Sequence, residues 1–157
     1  MQPITPFLWF DSQAEEAAQF YVSVFPDSEI LSVARYGEAG PGPAGSVMVV
    51  AFKLRGQEFN ALNGGPVYQF NPAISFVVDC QTQEEVDHYW DAMTADGGQP
   101  VQCGWLTDKF GVSWQIVPRR LNELMASSDP EVARRVTEAM LRMVKLDIAE
   151  LEAAAQG

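Results

Sequence analysis

The chain has 157 residues, with 21 acidic against 10 basic side chains, two cysteines, one histidine and a formal charge of -11. That charge argues against nucleic acid and anionic membrane surfaces as partners, and a metal cage of several histidines cannot be built from one. At 47% hydrophobic and 20% charged residues the composition is that of a globular chain, read here as a single domain over 1–157, and no apolar run approaches the ~20 residues that span a bilayer.

The opening MQPITPFLWFD lacks a basic segment and soon reaches Asp11, Glu15 and Glu16, so a cytoplasmic location is expected. Ile4 to Phe10 reads as a strand, and Asp11-Ser12 as the cap of a helix whose apolar face is Ala14, Ala17, Ala18, Tyr21, Val24 and Phe25. Pro26-Asp27 ends that helix. Strands are expected at Glu29 to Arg35, Ser46 to Leu54 and Glu58 to Leu62, with Arg55-Gly56-Gln57 as a hairpin turn. The Gly- and Pro-rich Gly37 to Gly45 reads as a mobile loop, and Asn63-Gly64-Gly65-Pro66 as a closing turn.

From Ala73 the pattern restarts. Ile74 to Val78 reads as a strand, Asp79 to Gln83 as a capped turn, and EEVDHYWDAM as a helix with Val86, Tyr89, Trp90 and Met93 on one face. Short strands follow at Gln99 to Cys103, Trp105 to Thr107 and Val112 to Val117, with Asp108 to Gly111 as a turn. Ser127 to Asp129 caps a further helix, Pro130 in its first turn, with a stripe of Val132, Val136, Met140, Met143 and Val144. That helix either packs on its own sheet or serves as a dimer arm, and Asp147 caps a last short helix. Cys80 and Cys103 form no CxxC and read as reduced thiols.

The two halves align on each other. Leu8 to Asp11 lies over Phe76 to Asp79, Glu15-Glu16 over Glu84-Glu85, and GQEFNAL over GVSWQI, which pairs Asn60 with Gln115. The expected fold is therefore α+β: paired βαβββ modules over about 4–66 and 72–118 forming a cupped mixed sheet, with C-terminal helices over about 119–155.

With that plan on the page, ITPFLWFDSQAEEAAQFYVSVFP, the LNGGP turn and CGWLTDKFGVSWQIVP resemble the PhnB-like branch of the vicinal oxygen chelate superfamily. That superfamily holds glyoxalases, extradiol dioxygenases and antibiotic-sequestering proteins; the branch carries the label 3-demethylubiquinone-9 3-methyltransferase domain. The resemblance implies metal ligands on the first and last strands of each half. Those strands offer only Thr5, Ser75, Asn60 and Gln115, which are hydroxyls and neutral amides. No metal site and no cofactor are therefore expected, Gln115 being the sole weak metal candidate. His88 falls off the apolar helix face and is expected at the surface, while Glu58 and Asp108 have plainer roles as strand and turn residues than as a general base.

The cup would be lined by large side chains with polar handles, and Trp9, Arg35, Asn60, Asn63, Phe76, Trp105 and Gln115 are the ligand candidates. If Asn60 and Gln115 point inward, Phe59 and Trp114 must face the helices. The reading is a glyoxalase/bleomycin resistance-like, PhnB-like protein that binds a small molecule in the cup between its modules and pairs as a homodimer. A metal-dependent isomerase, lyase or dioxygenase of the same superfamily is the alternative. Methyl transfer is a third reading: Gly40 to Gly45 spells GxGxxG, but a strand rather than a helix follows it, and Pro41 and Pro43 remove two N–H donors.

Overall fold

A computed structural model describes residues 2–157 and divides the chain into two compact units, residues 1–70 and 71–157. Unit 1 runs β1 (Phe7–Phe10), α1 (Ala14–Val24), β2 (Glu29–Arg35), β3 (Val47–Leu54) and β4 (Gln57–Asn63). Its sheet has the order β1-β4-β3-β2, with β1 parallel to β4 and the other pairs antiparallel. Unit 2 repeats this plan with β5 (Phe76–Cys80), α2 (Gln83–Thr94), β6 (Gln99–Pro100), β7 (Trp105–Thr107) and β8 (Ser113–Pro118), in the order β5-β8-β7-β6. It continues into α3 (Arg119–Met125), α4 (Pro130–Leu141) and α5 (Ile148–Gln156). The twofold βαβββ plan read from the sequence is the fold of the two units.

The core of unit 1 follows from the helix period. Ala14, Ala17, Ala18, Tyr21 and Val24 lie on one face of α1 and are buried against Leu8, Phe10, Val50, Phe52, Phe59 and Ala61. Phe52 stacks on Phe59 at 5.3 Å and on Tyr21 at 6.0 Å. Each such side chain taken from water contributes roughly 1.5–3 kcal/mol. Strand alternation then turns Phe7, Glu58, Asn60 and Leu62 to the face away from α1.

Several boundaries move, each for a local reason. β1 starts at Phe7 rather than Ile4, because Pro3 and Pro6 have no N–H to give a ladder; the Gln2 side chain instead bonds Glu58 O and Glu58 N. β5 starts at Phe76, since Asn71 Oδ1 accepts from Ala73 N and holds the preceding residues in a turn. It runs on through Asp79 and Cys80, which pair with Val117 and Pro118, so the capped turn expected from Asp79 begins two residues later. Thr82 is the N-cap of α2, accepting from Glu85 N while the Glu85 carboxylate accepts from Gln81 N. β6 stops at Pro100, short of the expected Cys103, which adopts a positive φ of 61°. The self-alignment also shifts: with Asn60 matched to Gln115, the register pairs Phe7 with Asn60 and Val77 with Gln115. Leu8 therefore corresponds to Val78, two residues beyond the sequence match, a slip that preserves the face.

The C-terminal helices form their own core of Leu121, Leu124, Val136, Ala139, Met143, Leu146 and Leu151 with Val117 of β8. Most of the expected stripe of α4 is thus covered within the chain. Asp129 and Asp147 cap α4 and α5 as expected, accepting from Glu131 N and Glu150 N at 2.9 Å. Arg135 donates to Ala154 O and Ala155 O at the end of α5, where the helix leaves carbonyls without partners. No helix among the described residues is long and apolar enough to cross a membrane.

Candidate functional site

In each sheet a row of side chains crosses the face turned away from the helix, with an amide at its centre. In unit 1 the register places Phe7, Asn60 and Ala51 side by side. Phe7 is 56% exposed. The Asn60 amide makes no side-chain hydrogen bond among the described residues, where no buried polar side-chain atom lacks a partner, so both its ends reach solvent. In unit 2 the row is Val77, Gln115 and Trp105. Val77 is 60% exposed, and Gln115 Nε2 donates to Ser75 Oγ at 2.9 Å, leaving Oε1 as an accessible acceptor.

The other sequence candidates are placed differently. Trp9 shares the parity of Phe7, but its Nε1 donates to Gly65 O at 2.9 Å. Its ring stands edge-on to Tyr68 at 5.0 Å and lies so close to Gly64 that a Cβ there would come within 2.4 Å. Asn63 is a tie within unit 1: Oδ1 accepts from Ala14 N at 2.8 Å and Nδ2 donates to Val47 O at 3.1 Å. It therefore supplies the cap of α1 expected from Asp11-Ser12, while Gln13 sits at the N-cap with no side-chain bond. Arg35 ends β2 and donates to Gly45 O at 3.1 Å. Phe76 was expected among the ligand candidates. It is paired with Trp114 at 5.4 Å, on the helix side of its sheet, because its parity is that of the buried Val78 and Cys80.

Asp108 is 2% exposed and is a turn former, as expected: Oδ1 accepts from Phe110 N and Val112 N, and Oδ2 accepts from Trp114 Nε1 at 2.8 Å. His88 is exposed on α2 beside Tyr89. Among the described residues no group of three His, Cys, Asp or Glu side chains converges as a metal would need. Charge perturbations lie elsewhere in unit 2. A hydrogen bond from Lys145 holds the Asp87 carboxyl below its ordinary value, with Gln83 adding to it, and Asp79 raises Arg119.

The loop from Gly37 to Gly45 is wrapped on a side chain that sequence reading passed over. Tyr36 is buried, its hydroxyl donates to Asn63 O at 2.5 Å, and its backbone bonds Ser46 O and Gly45 N close the loop. A Cβ at Gly40 or Gly42 would come within 2.7 or 2.4 Å of the Tyr36 ring, so these glycines are what lets the loop sit on it. The signal available was an aromatic residue at a strand end with glycines four and six positions on. Beside this loop, a crevice of about 650 Å3 opens between it and the first turn of α1. The GxGxxG match is followed by β3 and opens no helix.

A family model described as 3-demethylubiquinone-9 3-methyltransferase matches residues 2–117. Among solved structures, the PhnB protein from Bacillus cereus is 41% identical, with a TM-score of 0.68, over 74% of this chain and 99% of that one. A glyoxalase/bleomycin resistance protein from Albidiferax ferrireducens is 13% identical, with a TM-score of 0.50, over 73% of this chain and 96% of that one. The fosfomycin resistance protein FosX from Listeria monocytogenes is 14% identical, with a TM-score of 0.53, over 78% of this chain and 97% of that one. The last two show the fold alone. No curated protein matches the chain.

Proposed function

The chain belongs to the 3-demethylubiquinone-9 3-methyltransferase (PhnB-like) family of the vicinal oxygen chelate superfamily, and from that premise we propose that it is a small-molecule-binding protein that holds its ligand without a metal. The ligand is an apolar or planar molecule taken on a sheet face turned away from the helix, where each unit offers an amide among apolar neighbours: Asn60 beside Phe7 in unit 1, and Gln115 beside Val77 and Trp105 in unit 2.

The observation that carries this reading is the Ser75–Gln115 hydrogen bond of 2.9 Å. Superfamily membership implies metal ligands on the first and last strands of each half, and here Gln115 of the last strand is bonded to Ser75, the residue that precedes β5. Amides and hydroxyls bring no negative charge to offset the desolvation of a divalent cation, so the donor set does not fit one. The same groups suit a neutral ligand, because an amide between apolar neighbours orients a carbonyl, hydroxyl or N–H by one directed bond. The protein would act as a homodimer in the cytoplasm, where the free thiols of Cys80 and Cys103 stay reduced.

Native mass spectrometry of the protein as purified tests the reading. A bound organic mass that is lost on Gln115→Ala and Asn60→Ala supports it. Turnover of a carbonyl substrate that requires an added divalent metal would replace it with the isomerase, lyase or dioxygenase reading. Calorimetric binding of S-adenosylmethionine would replace it with methyl transfer.

A further inference from the structure

On the unit 2 sheet face turned away from α2, two side chains with hydrogen-bonding groups to spare stand directly opposite each other. Gln115 is half-exposed between buried neighbours in β8, and the register pairs it with Trp105 of β7. Opposite residues of an antiparallel pair share a face and hold their Cβ atoms roughly 4.5–5.5 Å apart, within the span of one small planar molecule. Trp105 is itself half-buried, and its backbone is fixed on both sides: its N–H donates to Gln102 O at 3.1 Å and its carbonyl accepts from Val101 N at 2.8 Å.

The polar groups of this pair are of opposite kind. Gln115 Nε2 donates to Ser75 Oγ at 2.9 Å, which leaves Oε1 as the outward end of the amide, an acceptor. The Trp105 indole N–H can only donate. Among the described residues it makes no side-chain hydrogen bond and is not a buried orphan, so it reaches solvent. Trp9 and Trp114 differ in this respect, since their indole N–H groups are taken by Gly65 O and Asp108 Oδ2. The row of unit 1 offers no such pair: Asn60 lies between Phe7 and Ala51, which carry no polar side-chain atom, and no neighbour fixes which end of its amide faces out. Ser75 is thus the residue that decides what Gln115 presents, because an amide released from it could turn and offer either end.

We propose that the unit 2 face binds a planar molecule in which an N–H donor adjoins a carbonyl acceptor, a lactam or cyclic imide, and that Ser75 sets this preference by holding the Gln115 amide. The ligand N–H donates to Gln115 Oε1, its carbonyl accepts from Trp105 Nε1, and its apolar edge lies against Val77, which is 60% exposed. A molecule that brings an acceptor in place of the N–H sets a lone pair against Oε1 and forfeits that bond. The inference rests on the reading of this face as a metal-free ligand site and adds to it the chemistry of the ligand.

Two probes of the same shape test the proposal: the lactam isocarbostyril and the lactone isocoumarin, in which a ring oxygen replaces the N–H. Each is titrated into the full chain and followed through the Trp105 indole N–H and Gln115 side-chain amide resonances. The lactam is expected to shift both saturably and to bind at least about tenfold more tightly than the lactone. Trp105→Phe should weaken both probes alike, since both carry the carbonyl, whereas Gln115→Ala should weaken the lactam alone. Ser75→Ala, with an unchanged circular dichroism spectrum, should keep lactam binding but bring the two probes within about threefold of each other, because the freed amide can meet either one. Equal binding of lactam and lactone to the unaltered chain, a preference that survives Ser75→Ala, or shifts that spare Trp105 and Gln115 would overturn the inference. If in that case the protein as purified still carries an organic mass that Gln115→Ala removes, the metal-free reading stands without it; if neither probe binds and no such mass is carried, both fall.

Discussion

Replacing Asp108 should unsettle unit 2 more than any other single polar change in the run CGWLTDKFGVSWQIVP, because of the number of donors it holds. The carboxylate accepts from three donors, Phe110 N at 2.8 Å, Val112 N at 3.0 Å and Trp114 Nε1 at 2.8 Å, and the residue is almost fully buried. Hydrogen bonds to a charged acceptor contribute about 1.5–3 kcal/mol each, and they overlap here because one turn holds all three, so Asp108→Ala should cost about 3–5 kcal/mol. Asp108→Asn keeps an oxygen for the two backbone donors but turns an NH2 toward the Trp114 N–H, which should cost about 2–3 kcal/mol. Adding Trp114→Phe to the Asn variant removes the opposed donor. The double variant should then be less destabilised than the sum of the single ones by at least about 1 kcal/mol. Urea unfolding followed by circular dichroism compares these four variants, Trp114→Phe included, with the unaltered chain. An Asp108→Ala loss under about 1 kcal/mol, or strict additivity of the Asn and Phe changes, would refute the view that this carboxylate organises the turn.

Gly42→Ala should destabilise unit 1 by about 1–3 kcal/mol, because its Cβ must displace the Tyr36 ring, while Tyr36→Phe should cost about 1 kcal/mol for the hydroxyl bond to Asn63 O; thermal melts distinguish the two. Lys145→Met should narrow the pH range of stability. Asp87 has its pKa lowered by Lys145, so the pair's contribution is present above the ordinary carboxylate value and is lost as pH falls through the depressed one; Lys145 is raised by Asp87, so the contribution is lost again above the ordinary lysine range. Wild type and Lys145→Met should therefore differ near neutrality and converge in strong acid, and a difference that persists at low pH would contradict the assignment. Gly104→Ala should loosen the C-terminal helices, since its φ of 84° and the 2.9 Å approach to Leu146 leave no room for a methyl group; faster amide exchange across Met143 to Ile148 is the readout.

Much of the fold was legible in the sequence because the apolar period changes cleanly between strand and helix. Tyr21, Val86 and Trp90 fall where the 3.6-residue repeat puts them, and the Arg55-Gly56 turn has at Gly56 the positive φ that glycine allows. What sequence could not supply were bonds made across long separations. The cap of α1 comes from Asn63, 49 positions away, so the local Asp11-Ser12 signal named the right place and the wrong oxygen. Arg135 looks like a solvated helix charge until α5 folds back to meet it. The face of Phe76 follows from its parity with the buried Val78 and Cys80 and its pairing with Trp114 across the β5–β8 register. For the site, strand parity correctly set Phe59 and Trp114 apart from Asn60 and Gln115, but only the register shows Gln115 flanked by Val77 and Trp105, and only the folded chain shows it bonded to Ser75.

The proposed function requires that Asn60, Gln115 and Ser75 act as neutral hydrogen-bonding groups and not as metal ligands. Elemental analysis after equilibration with zinc, nickel, cobalt and manganese, for the unaltered chain and for Gln115→Ala, addresses it directly. The account predicts far less than one metal per chain and no difference between the two proteins. One equivalent bound by the unaltered chain and lost on Gln115→Ala would contradict it.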